Sequence, residues 1–111
     1  MAAELLARQP DLDCIYFSND DLAFGGLCHC VAAGIDVPQD LALAGFNGLS
    51  LLEGLPGKIA TSRTARREIG EAAVSIILDR LANRDDPAKR TRILEPRIDL
   101  GDVQARVKDR S

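Results

Sequence analysis

Two apolar runs, each ended abruptly by short polar residues, constrain this chain more than any other feature. The first is Cys14-Ile15-Tyr16-Phe17, which stops at Ser18-Asn19-Asp20-Asp21. The second is Leu41-Ala42-Leu43-Ala44-Gly45-Phe46, which stops at Asn47-Gly48. Uninterrupted apolar runs of this length are the mark of strands buried in a parallel sheet. The polar residues then fall at the carboxyl ends of the strands, where open α/β sheets bind ligands. Asn19 and Asn47 are therefore the first candidate site residues; capping the helix that follows and an Asx-turn leaving the strand are their respective structural alternatives.

The segment between the runs reads as a helix over 20–33, with Gly34 placed to end it and Ser18 three residues before Asp21, a capping-box-like spacing. A strand–helix–strand unit follows, with the second strand over 41–46. Gly25-Gly26 inside the helix costs about 1 kcal/mol per glycine relative to Ala. Close approach of another backbone, from the sheet or from a partner helix, is the expected compensation. Residues 2–9 read as a helix ended by Pro10. Residues 48–57 read as a loop, although Leu49, Leu51, Leu52 and Leu55 are apolar; a short turn tucked onto the core and a subunit contact explain them equally well. Ile59–Ser62 reads as a short strand.

Residues 65–82 have the clearest helical period. Thr64 is the expected N-cap, and Ile69, Ala72, Ala73, Ile76, Ile77 and Leu81 form one stripe expected to be buried. Residues 83–91 read as a charged loop. Pro96 limits Ile93–Leu100 to an edge strand, and 101–111 reads as a charged tail.

Composition narrows the function classes. The 111 residues are 46% hydrophobic and 28% charged, an ordinary globular balance. With 14 basic against 17 acidic residues, the net charge of -3 is a poor basis for direct DNA binding. No apolar run is long enough to cross a membrane. The N-terminus lacks the pattern of a secretory signal, so a cytoplasmic protein is expected. Cys14, Cys28 and Cys30 are odd in number and give no disulfide framework. Cys28-His29-Cys30 suggests a metal site, but adjacent helical residues face different ways and no second cluster completes a tetrahedral set. No metal, cofactor or enzyme motif appears, and the one histidine lies in mid-helix. Adjacent Asp20 and Asp21 are a weak acid/base pair, and first-turn acids facing a helix dipole explain them.

The motifs resemble those of LacI/GalR-type bacterial transcriptional regulators. Phe17-Ser18-Asn19-Asp20-Asp21-Leu22-Ala23-Phe24-Gly25 is similar to that family's "(A/S)ND-x-x-A-x-G" segment. Gly34-Ile35, Val37-Pro38 and Asp40 to Asn47 are similar to its "G-x-x-V-P-x-D" segment and the strand after it. Thr61-Ser62 and Thr64 through Glu68-Ile69-Gly70 resemble its crossover into the last long helix. The wording is nearest to the gluconate-utilisation repressors, and the resemblance covers roughly residues 10–100.

The resemblance implies a three-layer αβα, parallel-sheet architecture, the C-terminal lobe of a type I periplasmic-binding-protein-like domain. Residues 1–100 would be the partial effector-binding and dimerisation domain. The helix-turn-helix head, the hinge and most of the N-terminal lobe of the family fall outside the similarity. DNA would be met only through such a head, and helix 65–82 would pack on the other lobe, so that here its apolar stripe either folds onto these residues differently or is covered by a second chain. The ligand would be a sugar or sugar acid, gluconate being the first choice, read by Asn19 and Asn47. Arg66, or else Arg63 or Arg67, would pair with a ligand carboxylate. Phe24, Leu27, Leu51 and Leu55 would form a homodimer interface, unless they are simply core. The competing expectation is a sugar-binding protein of a transport system with the same core.

Overall fold

The computed structural model describes residues 1–55 and 59–105. Pro56 and Gly57 of the apolar loop, and residues 106–111 of the expected tail, lie outside the described residues. The chain divides into two compact units, Met1–Arg63 with Ile98–Ser111, and Thr64–Arg97.

The first unit carries the sheet. Helix α1 (Ala2–Arg8) leads to strand β1 (Cys14–Tyr16), helix α2 (Asp20–Ala33) and strand β2 (Ala42–Asn47). A 3-10 turn (Ser50–Gly54) precedes strand β3 (Ala60–Arg63), and a short strand β4 (Arg97–Asp99) completes the order β1-β2-β3-β4. β1 runs parallel to β2, with Ile15 opposite Leu43 and Tyr16 opposite Ala44. β2 runs parallel to β3, with Gly45 opposite Thr61 and Asn47 opposite Arg63. The parallel strand–helix–strand unit expected from the two apolar runs is thus present. β4 begins just after Pro96, where a residue without an N–H does no harm to a ladder.

Burial follows position in the sheet. Leu41 and Leu43 are fully buried in or beside the central β2, and Ile15, Phe17, Ala23, Leu27, Cys30 and Ile59 close the core around them. β1 is different: only Ile15 is buried, while Cys14 and Tyr16 are exposed. As the terminal strand of the sheet it is covered well on one face, so its apolar run overstates its burial. The leucine-rich loop divides in the same way. Leu52 is buried, Leu55 packs partly against the core, and Leu51 stays half exposed.

The ends of α2 show how local chemistry sets the element. Gly34 takes the left-handed conformation at φ 69°, and its N–H reaches the carbonyls of Cys30 and Val31, as its position predicts. Asn19 fills its alternative role as the N-terminal cap, in place of the Ser18 spacing: the Asn19 side-chain oxygen accepts the Leu22 N–H at 2.9 Å. Both residue types cap well, and the chain leaves β1 one residue later than the Ser18–Asp21 spacing implied. The glycine pair also behaves differently from expectation. A side chain at Gly26 would run into the ring of Phe17, whereas nothing lies within 4 Å of Gly25. The close neighbour is therefore an aromatic side chain and not a second backbone. Cys28 is exposed and Cys30 buried, so the Cys-His-Cys run is split between two faces, and burial pushes the Cys30 thiol up.

The second unit contains helix α3 (Arg66–Leu81) and a 3-10 turn (Pro87–Lys89) capped by the Asp86 side chain. The cap position of α3 is Ala65, with no side-chain bond, because the helix starts one residue beyond the point where Thr64 would serve. The stripe expected to be buried is not: no residue of α3 is buried, and Ile69, Ile77 and Leu81 are each more than half exposed. Val74 and Leu78 carry the exposed apolar surface beyond the stripe. A helical period marks the face that seeks a partner; it does not supply one, and a unit with a single long helix has no second layer to offer.

Two glycines make opposite predictions. Gly45→Ala would set a methyl 3.1 Å from the Asp20 backbone and 3.2 Å from the Ala23 side chain. Overpacking there should lower stability by about 1–3 kcal/mol. Gly25→Ala meets nothing and should raise stability by about 0.5–1 kcal/mol through helix propensity. Urea midpoints of the two variants, read against the parent chain, check both signs.

Candidate functional site

Because β1, β2 and β3 are parallel, their carboxyl ends share one edge of the sheet, and the candidate residues gather there. Asn19 lies three residues past Tyr16 and Asn47 three residues past Ala44, and Tyr16 and Ala44 are register partners. Arg63 ends β3 directly opposite Asn47. Asn19 and Asn47 are both half-buried. Asn47 has φ 110° and Gly48 φ 71°, so the chain turns sharply as it leaves β2. Asn is one of the few side chains that tolerate such a backbone.

A buried carboxyl group holds this rim together. Asp20, the first helical residue after the Asn19 cap, is wholly buried. One of its oxygens accepts the Thr61 hydroxyl at 2.7 Å; the other accepts the Leu49 N–H, also at 2.7 Å. The Thr61 oxygen in turn accepts the Gly48 N–H at 3.2 Å. The start of α2, the turn after β2 and the middle of β3 are thereby joined through one side chain. Gly45 makes room for it, since a side chain there would collide with the Asp20 carboxyl. In the sequence Asp20 was indistinguishable from Asp21, which is exposed. The available signals were Gly45 within an otherwise apolar strand, which marks a close approach, and a threonine on the strand beside it.

The cationic part of the rim is Arg63. Its Nε and Nη2 both donate to one oxygen of Asp99 at 3.0 Å, and its Nη1 donates to Glu53 at 3.3 Å. Gly48 lies against the Arg63 stem, with no space for a side chain between them. Arg66, the first choice from the sequence, is an exposed first-turn residue of α3 and belongs to the second unit. Arg67 is also there, paired with Glu71 at 2.9 Å. Of the three arginines, Arg63 is the one in the same unit as both asparagines.

The residues expected at a subunit contact are scattered. Leu27 belongs to the core and Leu55 packs partly against it, so for these the core explanation holds. Phe24 is half-buried on α2 and Leu51 is exposed on the 3-10 turn.

A parallel sheet with a polar rim at its carboxyl edge is the architecture of periplasmic-binding-protein-like domains, and the chain belongs to that family, which it matches over residues 1–102. Its relatives are transcriptional regulators of the LacI type. It is 37% identical over 82 residues to the HTH-type transcriptional regulator GntR of Pseudomonas aeruginosa, and 34% identical over 82 residues to the HTH-type transcriptional regulator IdnR of Escherichia coli K12. Both alignments cover 74% of this chain but only 24% and 25% of those proteins, so the chain spans about a quarter of their length. The lactose operon repressor of Rhizobium radiobacter is 34% identical over 84 residues, covering 76% of this chain and 74% of that one. Among solved structures, a LacI-family regulator from Silicibacter pomeroyi superposes with a TM-score of 0.84 at 46% identity, covering 92% of this chain and 31% of that one. The GntR regulator of Chromobacterium violaceum gives 0.83 at 36% identity, over 91% and 37% of the two chains.

Asp20→Ala should be among the most damaging single changes. It leaves the buried Thr61 hydroxyl and the Leu49 N–H without their acceptor, at about 1–3 kcal/mol for each group. Asp21→Ala, on the exposed side of the same turn, should cost no more than about 1 kcal/mol. Equal losses in guanidinium unfolding would remove Asp20 from this role.

Proposed function

We propose that residues 1–100 are the effector-reading and dimerisation part of a LacI-type transcriptional regulator, with 101–111 as a tail. The effector is a sugar or sugar acid, gluconate first. The observation that carries this reading is the shared rim: two carboxamides and a guanidinium at the ends of three parallel strands, with the turn between them pinned by a buried carboxyl. Carboxamides donate and accept, which suits vicinal hydroxyls, and a guanidinium suits a carboxylate. One printed ligand agrees with a sugar as the ligand class. A LacI-family regulator from Arthrobacter, 33% identical to this chain, is a complex with lactose. DNA contact, in this reading, belongs to a helix-turn-helix head, since a net charge of -3 is a poor basis for phosphate contact.

Gluconate added to the isotope-labelled chain should shift the backbone amide signals of Asn19, Asn47 and Gly48, with weak affinity because one lobe supplies only part of a two-lobed pocket. Asn19→Asp retains a good cap but replaces the amide donor, so it should keep the fold and weaken the ligand shifts. A titration that moves no rim amide would overturn the sugar-reading role. The dimer is tested separately. Light scattering should give twice the 12.0 kDa chain mass, and Leu51→Asp should return it to a single chain; a parent chain that is already monomeric removes the contact assigned to Phe24 and Leu51.

A further inference from the structure

We propose that Arg63 is the group that recognises a carboxylate on the ligand, with Asp99 as its fixed anchor and Glu53 as a displaceable substitute for the ligand. This rests on the reading of the rim as a sugar-acid site and names the residue that makes it selective for acids.

The two partners of Arg63 differ in kind. Asp99 takes both Nε and Nη2 on one oxygen, while its other oxygen accepts the Gly101 N–H at 3.0 Å. The anchor is thus held by backbone as well as by the arginine, and both side chains are about a third exposed. Glu53 makes one contact, at 3.3 Å to Nη1, from a side chain that is 64% exposed on the 3-10 turn. A single solvated contact of that sort is weak and screened by salt. The Asp99 side fixes the plane of the guanidinium; the Glu53 side occupies a position that another carboxylate can take. Since Asn47 is the register partner of Arg63, the two lie one strand spacing apart, about 4.8 Å. A short polyhydroxy acid can therefore place its carboxylate on Arg63 and a hydroxyl on Asn47. The planar fork of arginine fits a carboxylate in a way that a lysine ammonium does not.

The test compares gluconate with glucitol, its neutral counterpart bearing CH2OH in place of the carboxylate, by amide-signal titration of the whole chain. The parent should bind gluconate about tenfold more tightly than glucitol or better, as a hydrogen bond to a charged group requires. Glu53→Gln should tighten gluconate about threefold by removing the competing charge, and leave glucitol unchanged. Arg63→Met should bring the two ligands to equal affinity, and Arg63→Lys should restore the preference only in part. Should Arg63→Met disturb the spectrum of the free protein, Glu53→Gln carries the test alone, because its side chain is solvated. If glucitol and gluconate bind the parent equally, or Glu53→Gln leaves gluconate affinity as it was, Arg63 loses this role while the rim keeps its sugar. If neither ligand moves the amides of Asn19 and Asn47, the sugar-reading role and this assignment fall together.

Discussion

One buried carboxyl group organises the carboxyl edge of the parallel sheet. Asp20 sits where α2 begins, yet its two oxygens are spent on the turn after β2 and on the hydroxyl of Thr61. Parallel strands give no hairpin to fix their ends relative to one another, since each connection is a long crossover. A polar cross-link at the carboxyl edge does that work. It also imposes its own demands: a glycine at 45 to admit the carboxyl, and a sharp turn at Asn47-Gly48 that brings the Leu49 N–H inward.

The consequence for ligand reading is geometric. Binding residues are useful when their own positions are held by something other than the ligand. Asn19 is held by its cap bond to Leu22, the Asn47 turn by the Asp20 link, and Arg63 by Asp99. Each of the three has a support drawn from a different part of the first unit. In the proposed role, the rim residues would thus be held from the protein side.

Much of this was legible in the residues. The apolar runs, the helix end marked by Gly34, and the polar residues at strand ends located the parallel unit and both asparagines. The helical period located α3. The places where the reading failed share one cause: they depend on how many layers cover an element. Tyr16 and Cys14 look like core and are exposed because β1 is the outer strand of the sheet. The stripe of α3 looks buried and is not, because its unit has no second layer. Leu27 and Leu51 look alike in sequence, and one is core while the other is surface. Arg66 was preferred over Arg63 on the resemblance alone; the strand register that sets Arg63 opposite Asn47 is not visible in a sequence.

The sequence by itself determined the class of fold and the edge on which its chemistry sits, because strand burial and helix termination are local matters of apolar runs and capping residues. Tertiary structure alone decided which of two adjacent aspartates is buried, which of three nearby arginines shares a compact unit with the asparagines, and which apolar residues are covered. These depend on contacts between residues distant in the chain, 29 and 41 positions apart in the bonds of Asp20 to Leu49 and Thr61, and the register of parallel strands, not the order of the chain, brings them together.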